Sequence, residues 1–347
     1  LGTALTCAAF VGWSQMNGEL SIYYALWFLY MAGYIFSGPI PHQVIISQWF
    51  RKQRGRAMGF TYVGVAVFGS IGSWLVKPVA ESMGFRGALM IMGLLAFIAW
   101  PLAILVLRDK PSDKGLHPDN DPESAKAAAQ APAASIAYLL SKPAFWLLVV
   151  GSFCSIGSIG AINQHMKLVF KDQGFIDQSV LNATWRTASV CILWSSIAGR
   201  LFMGWMADRY PKKYVMTATY LLVAVTIPLL LLVKPGQTEY VYVFAILFGF
   251  GMGADYMLIP LMAAEQFGVN TLARAMAIIL PADTIGQTWF PYFVALLRKQ
   301  FGSYETALMA VFALAALGAG AIALLPKHGR QDETLHIPEP ERAASRR

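Results

Sequence analysis

Charge is what this sequence has least of. Asp, Glu, Lys and Arg make up 13% of its 347 residues, about half the share usual in soluble domains. Its three cysteines, Cys7, Cys154 and Cys191, all fall inside apolar blocks. That excludes a disulfide or metal framework and leaves them as small buried hydrophobes. The five histidines show no metal-ligand spacing, no glycine loop is placed to hold phosphate, and no nucleophile elbow occurs. With no catalytic cluster, neither an enzyme nor a cofactor or bound metal is expected. Gly157-Ser158-Ile159-Gly160 and Gly249-Phe250-Gly251-Met252-Gly253 lie within apolar helices, where glycine serves close packing or bending.

What the chain has in excess is apolar sequence: 56% hydrophobic residues and a mean hydropathy of +0.52. Apolar blocks recur from end to end, each of the ~20 residues needed to cross a hydrocarbon core. Ten spanning helices are expected, over 1–17, 21–48, 56–76, 86–107, 144–168, 179–204, 214–233, 240–264, 273–297 and 304–325. The polar stretch 108–142, rich in Pro, Asp, Ala and Lys, reads as a linker with at most a short surface helix over 125–131. The charged tail, 326–347, is expected to be disordered.

Lysine and arginine assign the sides. Eighteen basic residues fall in one set of loops and seven in the opposite set. The eighteen include Arg51, Lys52, Arg54, Arg56, Arg209, Lys212, Lys213 and Arg274, with others in the linker and tail. Linker and C-terminus are therefore expected in the cytoplasm. The net charge of +8 is accounted for as a topology signal, and no nucleic-acid partner is needed.

The chain also repeats itself. Gln48-Trp49-Phe50 with Arg56-Ala57-Met58 returns as Glu265-Gln266-Phe267 with Arg274-Ala275-Met276, and 84–90 is echoed by 302–309. An offset of about 218 residues makes two parallel halves, 1–107 and 143–325. The same offset applied to the span at 144 expects about 75 further residues and two helices ahead of Leu1. The spans in hand then count as the third to sixth and seventh to twelfth of twelve.

One turn organises the rest. An apolar helix carrying Arg200 and Gly204 runs into Asp208-Arg209-Tyr210-Pro211-Lys212-Lys213, and another apolar helix begins at once. Gly204, Asp208 and Arg209 match the motif Gly-x-x-x-Asp-Arg-x-Gly-Arg-Arg, with Pro211 in place of its second glycine and Lys212 and Lys213 in place of its basic pair. The chain thereby resembles the major facilitator superfamily. The resemblance implies an all-α membrane protein of two six-helix bundles, with ten of the twelve helices present. It also implies a turn that locks helices together on the cytoplasmic side in one state and releases them in another.

Charges inside the spans are the sharper signal, because each must face a cavity or a partner. Arg200 lies ~12 Å up its helix from Asp208, where it either grips a substrate carboxylate or pairs with Asp283 or Asp255. Asp283 stands ~13 Å from Arg274 and Asp255 ~15 Å from Glu265. Both are candidate proton carriers, since burial favours the protonated carboxyl, or else partners of Arg200. Arg186, ~21 Å above Arg200, is a candidate at the outer mouth. Gln164 and His165 are candidates to line the cavity, with packing as the competing role for the histidine. His42 follows Pro39 and Pro41, which should bend their helix.

The loop from Trp49 to Gly59, with Phe50, Arg51, Lys52, Arg54 and Arg56, resembles the aromatic-Phe-x-Lys-Arg-Arg-x-x-Ala-x-Gly loop of the monocarboxylate transporters and the oxalate/formate antiporters. In those families an arginine at the place of Arg200 binds the carboxylate. Ser196 stands where the former have an aspartate, and the span at 273–297, within which the latter have a lysine, offers Asp283 and no interior lysine. The resemblance implies a secondary transporter; the short loops and compact tail point to a bacterial inner membrane, and a monomer is expected. It would work by alternating access, with a small organic anion, a monocarboxylate first, as substrate and protons as coupling ion. Proton-driven export of amphipathic compounds competes, with Trp185, Trp194, Met252, Tyr256 and Met257 as lining. A non-transporting receptor or scaffold is disfavoured by the intact turn.

The topology is testable. A cysteine replacing Ser303 should react with an impermeant thiol reagent applied to intact cells, and one replacing Ser124 should be shielded. Labelling of Ser124→Cys from outside would reverse the assignment.

Overall fold

In hydrocarbon every backbone N–H and C=O must find a partner within the segment, so membrane-length apolar runs can only be helices. The computed structural model describes residues 1–122, 133–237 and 239–326, without the side chains of 70–75 and 77. The helix expected over 125–131 and the tail 327–347 lie outside the described residues. The elements are α1 (Gly2–Gln15), α2 (Leu20–Ser37), α3 (Pro39–Trp49), α4 (Arg54–Leu105), a short α5 (Ile136–Ser141), α6 (Pro143–Asp172), α7 (Gln178–Arg209), α8 (Lys212–Thr226), α9 (Glu239–Phe267), α10 (Leu272–Phe301) and α11 (Tyr304–Ala323). No strand occurs among the described residues. Among them, seven spans are long and apolar enough to cross a membrane. Three of the expected ten are not among them: the first is a helix of only 14 residues, the span 56–76 runs through the side chains left undescribed, and the apolar character of α10 is broken by Arg274, Asp283, Gln287 and two prolines.

Two breaks follow from the residue types. Pro39 opens α3, and Gly38 gives the chain an extended step between α2 and α3 within one span, as the prolines there predict. α4 has 52 residues; unbroken it would run ~78 Å, more than twice a bilayer core. Gly84 breaks it with φ 71°, ψ 173°, a region that suits only glycine. Both arms return to one loop, since Arg54 Nε donates to the Phe50 carbonyl at 3.1 Å and Trp49 Nε1 to the Arg108 carbonyl at 2.9 Å. The two expected spans, 56–76 and 86–107, are these arms.

In the second half α6 is the buried axis, packed between α10 and α11. Its outer turns meet Phe244, Phe248 and Leu308, and its other end packs near Met216, Leu261 and Met276. Large apolar side chains such as Phe28, Phe68, Trp194 and Leu317 stand exposed, as expected of a protein that meets lipid. Both glycine runs are packing surfaces. A Cβ on Gly253 of α9 would sit 2.6 Å from Ser196 Cα of α7, one on Gly249 2.7 Å from Ile192 Cα, and one on Gly160 of α6 2.8 Å from the Gln287 side chain.

Gly253→Ala should therefore lower the thermal stability of the detergent-solubilised protein, by ~1–3 kcal/mol for forcing two backbones apart. Gly64→Ala, where nothing lies within 4 Å, should be neutral or stabilising, since alanine is the better helix former by ~1 kcal/mol. Equal melting shifts for both would remove the packing role from Gly253.

Candidate functional site

The start of α4 and the end of α7 cross at the end of the molecule that carries the basic loops. Gly55 and Gly59, one turn apart, remove the side chains that would hold the helices away. A Cβ on Gly59 would meet the Arg200 carbonyl at 2.5 Å, and one on Gly204 the Gly55 carbonyl at 2.6 Å. The first N–H groups of a helix have no acceptor within it, and Gln53, at the cap of α4, supplies none. Asp208 of α7 supplies it. Its Oδ1 accepts from the Gly55 N–H at 2.6 Å and its Oδ2 from the Arg56 N–H at 3.0 Å, with Arg56 Nε at 3.4 Å. The carboxylate is almost fully buried and sits at the positive pole of the α4 dipole.

The rest of the turn is held on its own helix, on α9 and on the chain beyond α11. Arg209 lies over the Trp205 ring at 4.4 Å, Lys212 pairs with Glu265 of α9 at 2.7 Å, and Lys213 donates to the Leu325 carbonyl at 2.5 Å. On the facing loop, Phe50 is partly exposed. The backbone N–H groups of Arg51 and Lys52 donate to Asp119 Oδ2 at 2.8 and 2.6 Å, and Lys52 Nζ meets Asp121 at 2.5 Å. Arg54 is buried, and donates to the carbonyls of Phe50 and Ser47. Burial, then Arg51, brings its guanidinium down to about 10, against the pull of Asp119, Asp208 and Glu265.

Deeper, where α4 and α7 still face each other, is Arg200. It is 7% exposed; Nη1 donates to Ser196 Oγ at 2.7 Å and Nε is buried with no partner. Tyr62 of α4 lies within electrostatic reach of the guanidinium, and its hydroxyl accepts from Gln43 Nε2 of α3 at 2.6 Å. Arg200 makes no ion pair with Asp255 or Asp283. Those two are buried inside the second half, near each other.

The family profile of the Major Facilitator Superfamily matches residues 1–194 and 176–345. The chain belongs to the Major Facilitator Superfamily. It is similar to the "MFS transporter asaE" of Aspergillus flavus, 25% identical over 75% of this chain and 55% of that protein. It is also similar to "Monocarboxylate transporter 12" of Xenopus laevis, 22% identical over 78% of this chain and 61% of that protein. The chain thus spans little more than half the length of these relatives. The crystal structure of the Escherichia coli fucose:proton symporter shares the fold, with a TM-score of 0.63 at 12% identity over 94% of this chain and 82% of that one. The protein is accordingly a multi-pass membrane protein of a transporter family.

Within this major facilitator the remaining expected site residues scatter. His165 has both ring nitrogens engaged, with the Tyr304 hydroxyl at 3.0 Å and the Pro291 carbonyl at 2.9 Å. Nε2 must carry the proton given to the carbonyl, which leaves Nδ1 to accept from the tyrosine. Gln164 and Arg186 are exposed. Trp185 and Trp194 are exposed as well, whereas Met257 is buried beneath the crossing, 3.4 Å from a Cβ placed on Gly59. His42 is exposed with Nδ1 on the Gly38 carbonyl; its neighbour Gln43, 1% exposed, is the side chain that faces inward. Gln43 and Tyr62 are the site residues that sequence reasoning missed, and a buried amide in an apolar span is the signal that was available.

Asp208→Ala should leave two N–H groups of α4 without an acceptor, at a cost of about 0.5–2 kcal/mol. A cysteine at Met58, fully buried here, should then be alkylated about 2- to 30-fold faster in the purified protein. An unchanged rate would show that the crossing does not depend on this carboxylate.

Proposed function

We propose that this protein is a secondary transporter that moves a small organic anion, with a monocarboxylate as the first choice, by alternating access between halves 1–107 and 143–325. In this reading it acts as a monomer in a bacterial inner membrane. The linker 108–142 and the tail 326–347 are cytoplasmic, and protons are coupled through Asp255 or Asp283. The observation that carries the reading is Arg200: a permanent cation, buried at the junction of the halves, with an idle Nε and no carboxylate partner among the described residues. A lone buried charge is costly, so the site is complete only with an anion in it.

The partners for that anion come from both halves. Arg200 offers a planar fork that fits a carboxylate. Gln43 donates to the oxygen of Tyr62, so the tyrosine's own proton is free to be given to a bound anion. A ligand held from both sides draws the halves together. The Asp208 crossing closes the basic-loop end in this state, which leaves the opposite end as the side of entry. Asp208 then serves as the latch, with Gly204, Arg209, Lys212 and Lys213 holding its turn in place.

The test is uptake of radiolabelled lactate, pyruvate and acetate into proteoliposomes. A charged hydrogen bond in a site screened from water is worth ~1.5–3 kcal/mol. Arg200→Gln should therefore weaken affinity by roughly tenfold to over a hundredfold. Arg200→Lys should recover part of it, and Tyr62→Phe should cost less than either. Unaltered affinity in Arg200→Gln would end the anion-site reading.

A further inference from the structure

The second half contains two acids that the anion site does not use. Asp255 of α9 and Asp283 of α10 are 0% and 1% exposed and lie within electrostatic reach of each other. Hydroxyls from two more helices surround them. Ser155 of α6 donates to Asp255 Oδ2 at 2.5 Å. Ser152, one turn earlier, lies beside Asp283, though its hydroxyl is given to the Val149 carbonyl at 3.2 Å. Tyr220 of α8, 0% exposed, points its hydroxyl at Asp255 without closing an aligned hydrogen bond, and feels Asp283 as well. Asp255 Oδ1 and both oxygens of Asp283 receive no hydrogen bond from a donor. The other titratable groups facing the cluster are Cys154 of α6 and Tyr256 of α9. None of these is a cation.

Two neighbouring carboxylates in a low-dielectric interior cannot both be charged. The hydroxyls of Ser155 and Tyr220 can hold one negative charge between them, and nothing is placed to hold a second. We propose that Asp255 and Asp283 form a single proton-binding site, two carboxyls that keep one proton in common and load and release another, with Ser155 and Tyr220 as positioning residues. Loading adds one proton to a carboxylate oxygen and takes the pair from one negative charge to none; release reverses this, and no other bond changes. Arg200 stands outside the pair. Tyr256 feels both acids and also Tyr34 of α2. The proposal deepens the proton-coupled reading and rests on it for its use, but the site can be tested with no substrate at all.

Infrared difference spectroscopy on the purified full chain separates protonated carboxyl from carboxylate as pH is stepped. Two buried protonated carboxyls are expected at acid pH and one persisting at alkaline pH. Asp255→Asn and Asp283→Asn should each abolish the persistent one, because the remaining carboxyl has no neighbour with which to share a proton. Arg200→Gln should leave both signals in place. Tyr220→Phe and Ser155→Ala keep both acids and nearly the same shape, and carry the test should the aspartate variants fail to fold. Each removes a donor to the charged form, so the loading step should move to higher pH, by about tenfold in proton affinity. A persistent signal that survives in both aspartate variants, its absence from the wild type, or an unmoved loading step in Tyr220→Phe would overturn the shared site. A titrating pair in a protein that carries none of the three monocarboxylates would sink the anion reading alone, and a lactate transporter without the pair would sink only this one.

Discussion

Two N–H groups at the start of α4 have no acceptor within their own helix, and Asp208 answers them from α7. A helix start that borrows its cap across an interface is stable only while the interface is closed. The glycines on both sides belong to the same device, since Gly55, Gly59 and Gly204 let the backbones come close enough for the carboxylate to reach. Lys212 and Lys213 fasten the turn to α9 and to the chain beyond α11, so motion of the turn is motion of the second half. The loop on the other side is tied down by Asp119 and Asp121.

Inside the spans the decisive constraint is that charge has to be answered. The structure answers the acids with hydroxyls and with each other, and leaves Arg200 without a counter-ion. The division falls between two environments: the acids lie among α6, α8, α9 and α10, and the arginine faces α4. An arginine already neutralised by an aspartate would offer little to an anion. On the proposed reading, one that has Ser196 and Tyr62 beside it, with Gln43 on the tyrosine, offers a site.

The sequence made some of this legible and hid the rest for a physical reason. Apolar run length located the spans because lipid permits only helices, and Pro39 and Pro41 marked a bend; the break at Gly84 was not read from the sequence. The Asp208 turn was readable because its charges sit where a soluble chain would have no use for them. Depth along a helix was readable too, since it is a count of residues. Arg200, Asp255 and Asp283 come out at nearly the same depth, which made pairing look natural. Direction around the helix axis, and which helix stands there, cannot be counted off the chain, and direction is what separates the arginine from the acids. It also separates Gln43, which points inward, from His42 beside it. His165 was ambiguous for the same cause: its partners, Tyr304 and Pro291, come from helices more than a hundred residues away.

Magnitudes decide whether such a latch can also be opened. A borrowed cap is worth about 0.5–2 kcal/mol, which biases a two-state equilibrium by about 2- to 30-fold. A ligand reverses a bias only by binding one state better than the other by at least that amount. On the proposed reading, one charged contact at Arg200, ~1.5–3 kcal/mol, is of the right size. A fully buried ion pair at the crossing would have been far costlier to break, ~3–5 kcal/mol for removal of one partner, and beyond the reach of one such contact. Asp208 avoids this by holding chiefly neutral N–H groups, with the Arg56 side chain half exposed at 3.4 Å. On the proposed reading the closure is thereby strong enough to define a state and weak enough to be opened.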